Sequence, residues 1–482
     1  MQPYCLIPSG SVVFLFGAMK KILFCVLTLL CLLPLSSFAQ MEALVGIWQG
    51  KLSVGGDSLT LVLVVERQGD SLNVVLDSPD QYVTDIVVDE CSFVNDTLRF
   101  SVRELNASYV GRYDGQRIRG RFTQYGRRMK LNLSPASERR LFPRPQEPQP
   151  PYPYREVELS FPYDDALPPI NGTLTLPMDA APAAVVILLT GSGRQDRDET
   201  IFRHKPFKVV ADYLTRRGFA VYRYDDPPYS IFAKQTTFDF ARQAQVVFDT
   251  LSARPELAGA PVGFLGHSEG GMVAWIAAAA QSKTAFVISL AGMGTPISEI
   301  LLYQNRAIGE KAGFSEEQLR SNDQLNSSIY KIVEKAKTPE AAGKKLDAFF
   351  KNYTKNMTAE QRREVHLTDI EVAAIRAQVI SPWMFTLFHI QPADYLKQVS
   401  CPVLALNGDR DIQVEAASNL SGIRTGLLKS PSVTCLTLPG LNHLLQECET
   451  GTVEEYGAIT QTMSPLVLEM MGEWLDKVTQ SR

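Results

Sequence analysis

Residues 264–275 read FLGHSEGGMVAW. An apolar run stops at Gly266, a serine follows, and a run of small residues begins at Gly270. The stretch Gly266-His267-Ser268-Glu269-Gly270 fits G-x-S-x-G, a pattern that about one chain in six of this length carries by chance, so its meaning rests on its surroundings. PVGFLG (261–266) has the continuous apolar character of a buried strand, and GGMVAWIAAAA (270–280) that of a closely packed helix. Strand, sharp turn and helix push a serine hydroxyl out at the carboxyl edge of a sheet, with the helix amino terminus favouring negative charge beside it.

Outward from this stretch the same alternation continues. VVILLTGSG (185–193), FAVYRYDD (219–226), AFVISLAGMG (285–294), CPVLALNGDRD (401–411) and SVTCLTLPGLNH (432–443) are near-continuous apolar runs, separated by helix-like PFKVVADYLTRRG and FDFARQAQVVFDTL. Buried strands alternating with helices predict an α/β fold, a mostly parallel sheet flanked by helices, over residues 155–482. Residues from about 295 to 400 carry no such strand and read as amphipathic helices, among them IYKIVEKAK and AAGKKLDAFFKNY. They predict a helical cap over the carboxyl edge of the sheet, where open α/β sheets place ligands.

The amino-terminal part has a different period. Short alternating runs, SLTLVLVVE (58–66), SLNVVLD (71–77), TLRFSVRE (97–104) and RIRGRFTQ (117–124), separated by Gly and Asn/Asp turns, predict a small all-β sandwich or barrel over residues 40–135. Trp48 reads as a plug at one end of its core. SPASERRLFPRPQEPQPPYPY (134–154) holds too many prolines for a helix or central strand and reads, over 136–154, as an extended linker. Before the β module, MKKILFCVLTLLCLLPLSSFAQ from Met19 gives a Lys-Lys start, an apolar centre and a small-residue exit at Ala39. Residues 1–39 are read as a secretory signal, with Met19 an alternative start, because the run Ile22–Leu35 is shorter than the roughly 20 residues that a membrane span needs. The expected protein is therefore exported, periplasmic or secreted, with no stable membrane span after cleavage.

Composition narrows the function classes. A net charge of −4 with 21% charged residues offers no basic excess for nucleic acid. Of seven cysteines, three lie in the leader; the remaining Cys91, Cys401, Cys435 and Cys448 show no metal-site spacing, and Cys401 and Cys435 read as buried thiols. No phosphate loop, nucleotide fingerprint or metal cluster is legible, so no cofactor is expected.

A serine hydroxyl is a weak nucleophile until a base takes its proton. Of five histidines, His443 alone follows a terminal strand, in LPGLNHLLQ; His204, His366 and His389 fall in helical or loop stretches, and His267 is read as pointing to the far side of its strand. The base needs a carboxylate to fix its tautomer. Asp409 and Asp411 both follow the strand VLALNG, and Asp411, further into the loop, is preferred. The order Ser268, Asp411, His443 is that of α/β-hydrolases rather than of chymotrypsin-type or subtilisin-type enzymes. Oxyanion donors are expected from the backbone N–H of Glu269 and from the loop after VVILL, with Ser192 first and Gly191 close behind.

These residues resemble a family. LLTGSGRQDRDE (188–199), GFAVYRYDD, FLGHSEGG, SPWMFTLFHIQPADYL (381–396), CPVLALNGDRDIQV and LPGLNHLLQ, in this order, are similar to bacterial α/β-hydrolases of the serine aminopeptidase S33 and EstD-like esterase group. The resemblance implies carboxylesterase-type activity on small-molecule acyl esters. Two departures stand out: the family's glycine-containing loop after YDD is replaced by Asp225-Asp226-Pro227-Pro228-Tyr229-Ser230, and Arg194 stands where a proline is common. The amino-terminal β module loosely resembles a domain that precedes such hydrolases in exported bacterial proteins. A peptidase with the same triad is the second reading and would need an acidic anchor for a substrate amine, for which Glu299 and Glu316 in the insertion are candidates. A non-catalytic binding protein is the third.

Overall fold

The computed structural model describes residues 42–54, 57–69, 71–103, 105–163 and 167–480. The leader read at 1–39 lies outside them. The chain divides into two compact units, one ending at Phe142 and the other beginning at Pro143.

In the first unit, alternation of apolar and polar residues produces nine antiparallel strands. These are β1 (Gly46–Val54), β2 (Asp57–Gln68), β3 (Ser71–Ser78), β4 (Val83–Val87), β5 (Glu90–Val94), β6 (Thr97–Val102), β7 (Ala107–Tyr113), β8 (Ile118–Gln124) and β9 (Arg127–Ala136). They form one sheet in the order β4-β3-β2-β1-β9-β8-β7-β6-β5, two meanders joined where β1 pairs with β9. Every second residue of the central strands, such as Leu61, Leu63 and Val65 on β2 or Leu131 and Leu133 on β9, enters one shared core. Trp48 is buried in that core, and its Nε1–H donates to the Leu44 carbonyl at 2.8 Å.

The second unit is built on eight strands: β10 (Tyr154–Phe161), β11 (Ile170–Pro177), β12 (Val185–Leu189), β13 (Ala220–Tyr224), β14 (Val262–His267), β15 (Val287–Leu290), β16 (Val403–Gly408) and β17 (Val433–Leu438). Their order is β10-β11-β13-β12-β14-β15-β16-β17. From β13 to β17 every neighbouring pair is parallel, whereas β11 runs against both of its neighbours. The mostly parallel sheet is thus a property of this unit alone, and the nine-stranded sheet of the first is antiparallel throughout.

The continuous apolar runs have a simple cause: both faces of the sheet are covered. Val185, Ile187 and Leu189 of β12 join the core under the helices Thr237–Ser252 and Glu269–Ala280, while Val186 and Leu188 join that under Pro206–Arg216 and Pro465–Gln480. The chain therefore leaves β12 toward one face and β14 toward the other. Such a divergence opens a crevice at the carboxyl edge. Between β15 and β16 lie seven helices, from Ile297–Lys311 to Pro392–Leu396.

The proline-rich stretch departs from the linker reading. Residues 138–153 lack helix and strand, but from Pro143 onward they belong to the second unit. Prolines remove backbone donors, and side chains supply the missing bonds. The Arg144 guanidinium donates to the carbonyls of Gly457, Phe202 and Ile459 at 2.8, 3.0 and 3.1 Å. Gln146 bonds the backbone of Thr462 and Met463. The segment is a strap on this unit, not a free tether. Arg144→Ala would leave three carbonyls without their donor and is expected to cost about 1–3 kcal/mol of stability. Thermal and urea unfolding check this; unchanged stability would mean that the strap is held elsewhere.

Candidate active site

Ser268 ends β14 with φ 53° and ψ −119°, a conformation that costs a side-chain-bearing residue energy and turns the chain sharply into the helix Glu269–Ala280. The two flanking glycines are sterically required. A Cβ at Gly266 would run into the carbonyl of Gly270, and one at Gly270 into the carbonyl of Leu189 on β12.

The turn presents Ser268 Oγ to His443 Nε2 at 3.1 Å, and His443 Nδ1 lies 2.8 Å from Asp411 Oδ2. The second Asp411 oxygen accepts from the N–H groups of Gln413 and Val414 at 2.8 and 2.9 Å. Asp411 is 1% exposed and His443 4%. Asp409, the other candidate acid, is exposed and its Oδ1 accepts from the Gly440 N–H at 2.7 Å. The loop carrying the histidine is shaped by buried Asn442, whose Oδ1 accepts from Leu444 and Gln446 N–H, both at 3.0 Å.

The two oxyanion candidates after β12 differ in occupancy. The Gly191 N–H donates to Glu199 Oε1 at 2.7 Å, whereas the Ser192 N–H has no acceptor among the described residues. Glu269 is the first residue of its helix, where backbone N–H groups lack intrahelical partners.

Two side chains beside Ser268 have roles that the sequence reading did not assign. The Glu269 carboxylate, 3% exposed, accepts from Thr237 Oγ1 at 2.7 Å, from Ser192 Oγ at 2.9 Å and from Trp383 Nε1 at 2.9 and 3.0 Å. It joins the loop after β12, the helix Thr237–Ser252 and the insertion. Burial pushes its pKa up, and the three donors pull against that without reversing it. His267, read as pointing away, instead lines the cavity, its ring centroid 5.0 Å from that of His443. Its Nδ1 lies 2.9 Å from Glu199 Oε1, and its Nε2 3.0 Å from the His443 carbonyl oxygen. Burial opposes charge on this ring, but the neighbouring Glu199 carboxylate and the hydrogen bonds hold its pKa above the ordinary histidine value. His204, His366 and His389 are elsewhere; buried His204 bonds Thr462 and the Tyr456 carbonyl.

These groups surround a cavity of about 410 Å³. The insertion contributes Ile297, Ile300, Leu301, Trp383, Met384 and Leu387, and Gln195, Gln304, Gln378 and Gln413 supply amides. No lysine or arginine lines it among the described residues. No cluster of metal-ligating side chains occurs among them either. Glu299 and Glu316 are not in the wall; Glu299 is exposed and Glu316 pairs with Arg306 at 2.9 Å. Cys401 and Cys435 are buried thiols outside any disulfide.

The two departures from the family pattern meet each other: Arg194 Nε donates to the Pro227 carbonyl at 2.9 Å. Next to them, burial pushes the Asp226 carboxyl up to about 7, opposed by the Gln195 N–H and reinforced by Glu269.

No family model matches the chain. A stretch of 284 residues is 27% identical to Esterase EstD of Thermotoga maritima, and spans 57% of this chain and 58% of that esterase. Among solved structures, a dienelactone hydrolase from Anabaena variabilis is 14% identical with a TM-score of 0.38, over 68% of this chain and 99% of its own. Est1E from Butyrivibrio proteoclasticus is 15% identical with a TM-score of 0.38, over 67% of this chain and 98% of its own.

Two outcomes follow from the geometry. Asp411→Asn is expected to lower turnover of any substrate processed by this serine by about 10⁴-fold, by stabilising the wrong histidine tautomer. Asp409→Asn should change it less than about threefold, since Asp409 holds only a turn; equal losses in steady-state assays would reverse the assignment. Asp226 gives a pH signature. An acid whose pKa rises on folding costs nothing below its unfolded value of ~4 and costs progressively more as pH climbs to about 7. Asp226→Asn should therefore raise Tm over the wild type at about pH 8 and lose that advantage near pH 4.5. A pH-independent difference would exclude Asp226 ionisation as its source.

Proposed function

We propose that this protein is an exported serine carboxylesterase that cleaves neutral acyl esters through an acyl-enzyme on Ser268. The carrying observation is the unbroken hydrogen-bond chain from Ser268 through His443 to Asp411, on the wall of a largely apolar cavity. The 27% identity to Esterase EstD supports the same reading. Export rests on the leader from Met19 to Ala39.

In this mechanism Ser268 Oγ bonds to the acyl carbon while its proton passes to His443 Nε2. The carbonyl electrons move onto oxygen, and the resulting oxyanion is held by the N–H groups of Glu269 and Ser192. Collapse breaks the bond to the alkoxy group, which leaves with the proton from His443. Water then repeats the sequence against the acyl-enzyme and releases the acid. Asp411 keeps His443 in the tautomer that accepts from serine and balances the imidazolium as it forms.

The cavity wall argues for an uncharged substrate. No lysine or arginine lines the cavity among the described residues, so a carboxylate on the substrate would find no counter-charge there, and the Glu269 carboxylate in the wall would oppose it. A peptidase reading would need a free carboxylate to hold an amine. Glu299 and Glu316 lie outside the wall, and Glu269 already accepts from three side chains.

Residues 40–482 should hydrolyse p-nitrophenyl esters of uncharged short and medium acids at least tenfold faster, in kcat/KM, than a carboxylate-bearing ester of the same length, about 1.4 kcal/mol. Aminoacyl anilides should turn over poorly. Ser268→Ala should lose about 10⁴-fold or more in kcat with Tm preserved. Ester turnover surviving in Ser268→Ala, or a preference for anilides or anionic esters, would contradict the proposal.

A further inference from the structure

We propose that Glu199 and His267 are positioning residues, a buried pair that fixes the oxyanion loop and the base loop against the nucleophile strand. The inference rests on the esterase reading above and adds to it. His267 immediately precedes Ser268, so its ring is anchored to the strand that delivers the nucleophile. From there it reaches two other segments: Nε2 meets the backbone carbonyl of His443 at 3.0 Å, and Nδ1 meets Glu199 Oε1 at 2.9 Å. The same Glu199 oxygen accepts the Gly191 N–H at 2.7 Å. Nucleophile, base and the loop bearing Ser192 are thus connected by two side chains.

The proton arrangement is dictated by the acceptors. A carbonyl only accepts, so Nε2 carries a hydrogen. With that hydrogen on Nε2, Nδ1 of a neutral ring and the Glu199 oxygen would both be acceptors, so their contact also needs a proton between them. The pair therefore holds one proton more than a neutral imidazole and a free carboxylate would separately form a bond with, and is close to neutral overall. Its contribution is geometry rather than field. Both partners are buried, Glu199 at 1% and His267 at 5% exposure, so neither bond is diluted by water.

Glu199 reaches this position at a conformational cost. Its φ is 53°, a left-handed backbone unfavourable for a side chain of its kind. The turn that holds it is braced by Asp196, whose carboxylate accepts from the N–H groups of Asp198 and Thr200 and from the Thr200 hydroxyl. By tying up the Gly191 N–H, Glu199 leaves Ser192 as the donor of that loop. A displacement of about 1 Å in such a donor can cost about a hundredfold in rate.

The test uses the full mature chain with Glu199→Gln, Glu199→Ala and His267→Gln, each counted by active-site titration with a fluorophosphonate. Glu199→Gln keeps an acceptor for Gly191 and loses the charge. It should lower kcat by about tenfold, and Glu199→Ala and His267→Gln by about a hundredfold, with KM within about threefold of wild type. Affinity for a trifluoromethyl ketone, which forms an oxyanion on the serine, should fall in proportion to kcat, while affinity for a non-reactive alcohol analogue stays unchanged. A purely structural pair would lower Tm and the titratable fraction but leave kcat per titrated site and ketone affinity at wild-type values, which would overturn the proposal. Absence of Ser268-dependent ester turnover in the wild type would instead overturn the esterase reading on which it rests.

Discussion

The backbone turn at Ser268 is the constraint to which the rest of the second unit is fitted. A left-handed serine between a strand and a helix is unfavourable in isolation, and it persists only because packing on both sides over-determines it. Gly270 lies against the Leu189 carbonyl, so the helix cannot approach β12 this closely with any larger residue. β12 and β14 are neighbours in the sheet, yet their chains depart to opposite faces. That departure puts the loop after β12 directly across from Ser268.

Around this turn, buried carboxylates act as fasteners between segments distant in sequence. Asp411 joins the loop after β16 to the loop after β17 through His443. Glu269 joins the helix after Ser268 to the loop after β12 and, through Trp383, to the insertion. Glu199 joins the loop after β12 to β14. The insertion also reaches the acid loop, where the Tyr303 hydroxyl donates to the Asp411 carbonyl at 3.0 Å. Both oxygens of Asp411 and of Glu269 meet protein donors, which makes the burial of these two carboxylates tolerable.

Much of this was legible because the signals were local. The strand, turn and helix around Ser268 are contiguous, and strands covered on both faces announce themselves as unbroken apolar runs. The helical insertion was legible from the lack of such runs between residues 295 and 400. What was less legible depends on side-chain direction. Asp409 and Asp411 differ by two positions in one loop, and only the approach of Gly440 to one and His443 to the other separates them. His267 does alternate to the face opposite the nucleophile helix, together with Leu265, but at the carboxyl edge that face is covered by Glu199 and the His443 loop. Glu199 gave no signal of its own, being one acid in the charged run RQDRDE. β10 and β11 alternate polar and apolar residues instead of forming unbroken apolar runs, and the polar Thr173 and Thr175 of β11 are nonetheless buried. The stretch from Pro143 reads as a semi-rigid extended linker because composition shows missing donors but not the Arg144 and Gln146 bonds that replace them.

The most direct measurement is the site of acylation. The purified protein would be mixed with a p-nitrophenyl ester, quenched in acid within the first turnover, and digested for peptide mass spectrometry. The account predicts one acyl adduct, on Ser268, with a burst of p-nitrophenol matching one equivalent per active chain. An adduct on another residue, or turnover with no burst and no adduct at any quench time, would contradict it.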